Sequence, residues 1–488
     1  MLEMRRKDYQ AISHAKRLQR SEAIPKEWSI NPKKLEGINL LDVPLVCGLL
    51  SNIELEVTSQ HDATSLLEGL RAGTWSVEQV TIAFCKRAAV AQQLVNCLTE
   101  VFFDEAIERA GQLDRQRLAC VNTEVLPPLF GLPVSLKDTF AVKGHDTSTG
   151  LACYVNEPAG DHSAIAAMLL DLGAILYCKT NVPQSVMTGD SDNHVFGRTL
   201  NPQNVSFTAG GSTGDGVRST VGPLATTLRD CALFLRTVMQ AGTWRYDSNV
   251  VSLPWKNVKR KERLRIGLVE DDGVYTPVPP VRRGLKKAGD LLRMSEQVEI
   301  VPLTLPNVQD HYEDLLSYFT LSGSEHYLEH FSRTGEPLVP SLAAIGLLSK
   351  PASTLESFFA LNVRRAEATR TYLRLFLENQ LDAILMPAAP HTALPWDTWT
   401  SATYTGLWSY LDYPAVVIPV DVVAASDLMD DPARAKYGPN DTELYKLYTG
   451  PERYEGLPIA VQIIGYRHQD EELIATAEML DSIINGEP

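Results

Sequence analysis

The stretch Gly131–Asp138, GLPVSLKD, sets an apolar run of strand length against a lysine at its far end. Proline and glycine crowd the residues before it, in Leu126–Leu136 (LPPLFGLPVSL), as they do ahead of a strand that starts from a turn. Downstream, Ser163–Leu172 carries a helical pattern that stops at Gly173, and Ala174–Cys178 (AILYC) is apolar throughout. A strand, a helix and a second, fully apolar strand at this spacing predict a parallel crossover unit. The fold class that follows is α/β, with a mainly parallel or mixed sheet wrapped by helices.

Working outward, residues 1 to about 75 read as helical and polar, with a break at Ile24-Pro25. From Thr81 to Ala110, apolar residues recur at helical spacing. The region from about 240 to 380 is more variable, with a Pro-rich turn at 276–280 and a helix predicted over 355–379. Short apolar runs follow at Leu381–Met386, Ala415–Val423 and Leu457–Gly465, and a helix is predicted over Asp470–Ile484. There is no internal repeat and no low-complexity tract. A chain of 488 residues is long enough for two or three domains, although single α/β domains also reach this size.

Charge and composition exclude several functions. A formal charge of −15 argues against a nucleic-acid partner, because binding phosphates needs clustered positive charge. The basic run Lys256–Arg265 is short and reads as a solvated face. Seven scattered cysteines without a CxxC pair read as reduced thiols. The N-terminus lacks the apolar core of a secretory signal, and no run approaches the roughly eighteen apolar residues of a membrane span. The expectation is a cytoplasmic protein with no membrane partner, and a homo-oligomer is left open.

Three segments could carry chemistry. Lys137 ends an apolar run, so its amine starts in the core, where desolvation disfavours the charged form and can turn a lysine into a base. The bland alternative is a surface lysine paired with Asp138. Gly210–Gly214 (GGSTG) can present the Ser212 hydroxyl at an unusual angle, because glycine admits backbone conformations closed to other residues; alone, such a loop is more often a flexible turn. Serine and lysine together form a recognised nucleophile–base variant. The third segment, His326-Tyr327-Leu328-Glu329-His330, fits the spacing of an inverted zinc-peptidase motif. Its acids and aromatics favour an exposed amphipathic helix, so no metal is assigned.

Together these segments resemble the amidase signature family, and within it the fungal acetamidase-like enzymes. The resemblance runs in the family's order through IPKEW (24–28), VTIAFCKRAAVAQQLVNC (80–97), GLPVSLKD (131–138) and KTNVPQS (179–185). It continues through FGRTLNP (196–202), GGSTG, STVGP (219–223), TWRYDS (243–248) and GLPIAVQIIG (456–465). It implies a single large domain with a mixed sheet core surrounded by helices, an N-terminal helical segment over 1–75 and the family domain over 76–488. It implies a small-molecule amide substrate, no cofactor and a serine–cis-serine–lysine triad. Lys137 matches the family's base, Ser212 its bridging serine, and Val186 falls by register where relatives place a substrate-contacting backbone group.

One departure is large. In the family the glycine-serine loop leads into a passage containing G-T-D-I-G-G-S, whose last serine is the nucleophile and whose backbone N–H groups form the oxyanion hole. Here Gly214-Asp215-Gly216 runs almost directly into Ser219–Pro223. Roughly fifty family positions are absent after about residue 216. Thr213, Ser219 and Thr220 stand nearby, but none lies in such a motif. The expectation is therefore either an amidase, with a substitute nucleophile or with a passage that the gene's predicted sequence omits, or a catalytically inactive relative with an incomplete core.

Overall fold

The computed structural model describes residues 8–31, 33, 35–120, 122–211 and 222–486. The chain packs as two compact units. The first takes Met1–Ser212, Pro223–Trp255 and Tyr327–Ala343, and the second the rest. Eight strands lie among the described residues: β1 Leu98–Val101, β2 Pro133–Lys137, β3 Ile175–Thr180, β4 Leu264–Val269, β5 Val298–Leu303, β6 Ala383–Pro387, β7 Ala415–Val422 and β8 Pro458–Ile464.

The first unit holds the crossover expected from GLPVSLKD. β2 lies parallel to β3, with Pro133 beside Ile175 and Lys137 beside Thr180. The helix between them, Ala164–Asp171, follows Ser163 and gives way at Gly173, where φ is +90°. A Cβ at Gly173 would stand 2.9 Å from Pro127 and 3.1 Å from the Phe130 backbone, so a side chain here would drive the helix end off the turn before β2. Leu169, Ile175, Phe130 and Val77 form the centre of this core.

The apolar pattern over 81–110 is broken by a strand that helical spacing does not reveal. A helix Val77–Val95 opens on a reciprocal capping box, in which Ser76 accepts from the Gln79 amide and the Gln79 side chain accepts from the Ser76 amide. Asn96 ends it at φ 55°, a left-handed conformation that asparagine tolerates. β1 then pairs antiparallel with β3, and a second helix runs over Phe103–Ala119. The N-terminal helix Tyr9–Glu22 is tied down by Lys16, 4% exposed, which pairs with Glu100 at 2.6 Å and Asp146 at 2.7 Å.

The second unit holds a five-stranded sheet in the order β5-β4-β6-β8-β7. β4 is parallel to β5 and β6, while β8 is antiparallel to β6 and β7. The variable-looking middle region thus contributes two strands, and the helix Pro279–Met294, opened by prolines in its first turn, connects them. The helix Leu355–Glu378 buries Tyr372 and Phe376 among Trp408, Tyr410 and Ile464. Residues 256–263 are mostly exposed, as the basic run suggested. Mixed α/β architecture is therefore present, but in two sheets. Between β3 and β4 the described residues supply only an isolated bridge, Leu200 with Thr208.

Candidate active site

Lys137 sits half-buried at the last position of β2. The next residue, Asp138, is 1% exposed and gives its carboxylate to other partners. One oxygen lies 2.8 Å from the ammonium of Lys179, itself fully buried. The other accepts from the Ser148 hydroxyl at 2.5 Å and the Ser148 amide at 3.2 Å. Burial pushes the Asp138 carboxyl above its ordinary value, while Lys179 and Ser148 pull it down. Lys179 also donates to the Asp146 carbonyl at 2.6 Å and the Thr147 hydroxyl at 3.0 Å. The loop 146–149 is thus fastened behind the end of β2.

The same loop holds the turn after β3, because the Ser185 amide donates to the Thr149 carbonyl at 3.0 Å. Here Ser185 and Val186 take φ of 58° and 61° in succession. A β-branched residue in left-handed backbone is a true outlier that costs about 1–3 kcal/mol and persists only where its surroundings enforce it. The enforcement is visible. The fully buried Gln184 side chain donates to Glu336 at 2.7 Å and to the Pro337 carbonyl at 2.9 Å, and accepts from the Val339 amide at 2.8 Å. Glu336 in turn accepts from the Ala152 amide at 2.8 Å, and burial raises its pKa.

The glycine-serine loop is anchored up to its second glycine. Asp190 is ion-paired with Arg198 and accepts from the Thr208 hydroxyl at 2.8 Å. That hydroxyl in turn accepts from the Gly210 amide at 3.0 Å, and Ser191 donates to the Gly210 carbonyl at 3.0 Å. Gly211 has φ of 98°, and a Cβ there would meet the Ser191 oxygen at 2.6 Å. Ser212, Thr213, Ser219 and Thr220 lie outside the described residues.

Of the residues expected from the sequence, Lys137 and Val186 are therefore brought to one end of the β2–β3 pair. Asp138, Lys179, Ser148, Gln184 and Glu336 were not anticipated as the support around them. A charged residue inside the apolar run of β3 was the available signal for Lys179, since lysine is rarely buried without a partner. The candidate zinc motif falls on the helix Glu325–Thr334, where His326 and Glu329 are exposed and a ring nitrogen of His330 lies 3.1 Å from the Tyr154 hydroxyl. Among the described residues no group of three or more His, Cys, Asp or Glu is placed to hold a metal. No described helix is long and apolar enough to cross a membrane.

The amidase family model matches residues 79–217 and 215–474. An acetamidase from Aspergillus oryzae is 30% identical over 550 aligned positions, covering 98% of this chain and 99% of its own length. An acetamidase from Emericella nidulans is 29% identical over 547, covering 98% of each. Among solved structures, a fatty acid amide hydrolase superposes with a TM-score of 0.87 at 24% identity, covering 97% of this chain and 95% of its own. The mixed sheets surrounded by helices are the architecture of that enzyme. On its sequence and its fold, the chain belongs to the amidase family, whose members hydrolyse amides.

Proposed function

We propose that the site is built to hydrolyse a small carboxylic amide to the acid and ammonia or an amine, in the cytoplasm and without a cofactor, through a serine–cis-serine–lysine relay. Lys137 is the base, and Ser212 carries the proton between it and the nucleophile. The nucleophilic hydroxyl adds to the amide carbonyl as its proton passes through the Ser212 oxygen to the Lys137 nitrogen. The proton returns by the same route to the leaving nitrogen, and water then hydrolyses the acyl ester. The left-handed backbone at Val186 supports a substrate-facing role for that turn, because strain of this kind collects at binding sites.

A second reading is favoured for the sequence as it stands: the chain keeps the base and the bridge but lacks the nucleophile and oxyanion hole, and so does not turn over. The observation that carries it is the interrupted family match, which breaks in two with both segments claiming residues 215–217. The alignments to the two acetamidases also run longer than this chain. They run over 547 and 550 positions, against about 478 residues of this chain (98% of 488), leaving about 70 positions with no residue here.

The packing after the break also supports it. The helix Leu228–Gln240 buries only Asp230 and Thr237, while its apolar residues Leu228, Leu233, Phe234, Leu235 and Val238 are only half-buried. Leu224, just before it, is 88% exposed. Loss of one oxyanion-hole donor costs a factor of about 10²–10³ in rate, and loss of the nucleophile as well leaves little. A fluorophosphonate probe followed by intact-mass measurement on folded protein tests this reading. No serine adduct is expected, and a stoichiometric adduct at Ser219 or any other serine would overturn it.

A further inference from the structure

We propose that the outer face of the helix Leu355–Glu378 is a surface on which two copies of this chain pair, antiparallel and about a two-fold axis at Ala366. This does not rest on the catalytic reading. The 24-residue helix has two apolar faces. One packs inward through Leu361, Ala368, Tyr372 and Phe376. The other meets solvent through Leu355 (69% exposed), Phe359 (61%), Val363 (57%), Leu373 (42%) and Leu377 (58%). With Ala366 and Arg370 between them, these positions recur every three or four residues and form one stripe. Single exposed apolar residues are ordinary, but a continuous line of them marks an interaction surface.

The order of residues in the stripe points to a second copy as the partner. Leu355 and Leu377 each lie eleven residues from Ala366, and Phe359 and Leu373 each lie seven. An antiparallel pair centred on Ala366 therefore sets Leu355 against Leu377 and Phe359 against Leu373, twice each, as a self-complementary two-fold interface requires. The small Ala366 at the centre lets the helices approach closely. Val363 falls opposite the aliphatic stem of Arg370, which can cover apolar surface while its charge stays in water.

One pair of opposite charges fits the same pairing, set against the approach of Glu367 to its own copy near the axis. At 3.6 residues per turn, Glu356 and Arg374 lie on the same flank of the stripe. In the two-fold pair each Glu356 faces Arg374 of the second copy to within two residues of register. An anionic membrane is the poorer partner, because Glu356, Glu367 and Glu378 border the stripe and the chain carries a charge of −15. A helix of 24 residues is about 36 Å long, and a contact about 10 Å wide buries about 700 Å² over both copies. That lies below the roughly 1,200 Å² of a standard interface, so the pairing is a weak, concentration-dependent one.

Sedimentation velocity on the full chain from about 1 to 100 µM tests the pairing. The expected result is a dimer that grows with concentration. Leu373→Glu abolishes it, and Glu356→Arg weakens it at least ten-fold. The exchange Glu356→Arg with Arg374→Glu restores it, a result that a merely destabilised helix would not give. A monomer at every concentration, or a dimer indifferent to Leu373→Glu, would overturn the proposal. So would binding to phosphatidylglycerol vesicles by a chain that stays monomeric without them.

Discussion

Two regions of the first unit, the ends of β2 and β3 and the helix past Gly222, are packed to different degrees. Around the ends of β2 and β3, buried charge meets buried charge: Asp138 and Lys179 hold each other, Ser148 caps the pair, and Gln184 with Glu336 holds the turn at Val186. Past Gly222, by contrast, the apolar side chains of the helix Leu228–Gln240 are half-covered, and Leu224, Val251 and Leu253 stand 88%, 73% and 52% exposed. A buried charge is costly to leave alone, and here Lys179 and Ser148 both attend the Asp138 carboxylate. The helix Leu228–Gln240 reaches the core of the unit through Leu233, Phe234 and Val238, which stay partly open. If the nucleophile passage is absent as proposed, the difference teaches that the base side of the site assembles without it.

That contrast can be sharpened by substitution. The largest effect belongs to Lys137→Ala. In a version of the chain carrying the missing passage from an acetamidase, it should lower amide hydrolysis by about 10³-fold or more. In the chain as it stands, it should change nothing in the same assay. An equal effect in both would break the comparison.

Next comes Asp138→Ala, which leaves Lys179 buried without its carboxylate and should cost about 3–5 kcal/mol in urea unfolding. Adding Lys179→Met should recover much of that loss. If the double variant is no better than the single one, the pair is not the keystone of the region around β2 and β3.

A control comes from the second unit. Asp272 is 1% exposed and accepts from the amides of Val274 and Tyr275, and burial pushes its pKa up to about 6. A carboxyl raised above its unfolded value contributes stability at low pH that is lost as pH rises through the folded value. Stability should therefore fall between about pH 4 and 6 by an amount on the order of 3 kcal/mol. Asp272→Asn keeps the acceptor oxygen without the charge and should flatten this slope when unfolding is followed across pH. An unchanged slope would assign the pH dependence to other groups.

The smallest effect is expected at Val186. Val186→Gly removes the left-handed penalty and should stabilise the chain by about 1 kcal/mol, less what the lost side-chain contacts contribute. A clear destabilisation would mean that the valine side chain, not its backbone, matters to the turn.

Much of this was legible in the sequence, for reasons that can be named. Apolar runs bounded by glycine and proline located β2, β3, β6, β7 and β8, with β3 and β6 buried along most of their length and β7 open on one side at the sheet edge. β1 was hidden, since Leu98–Val101 lies between two helices whose apolar spacing continues across it and only the conformation of Asn96 breaks the phase. β4 and β5 were masked by the charged residues at their edges, such as Arg265 paired with Glu299. At the candidate site, Lys137 and Val186 could be picked out as candidates because the motifs around them are contiguous. Gln184 and Glu336 could not, because their contact joins residues 152 positions apart, and no local pattern records it.

The proposal to be broken is that this chain holds an amidase base and bridge without a nucleophile. Its most direct test is ammonia release from acetamide, measured side by side on the folded chain as it stands and on the same chain with an acetamidase's passage inserted after Gly216. No release above the uncatalysed rate is expected from the first, and sustained turnover from the second. Turnover by the unaltered chain, abolished by Lys137→Ala, would contradict the proposal.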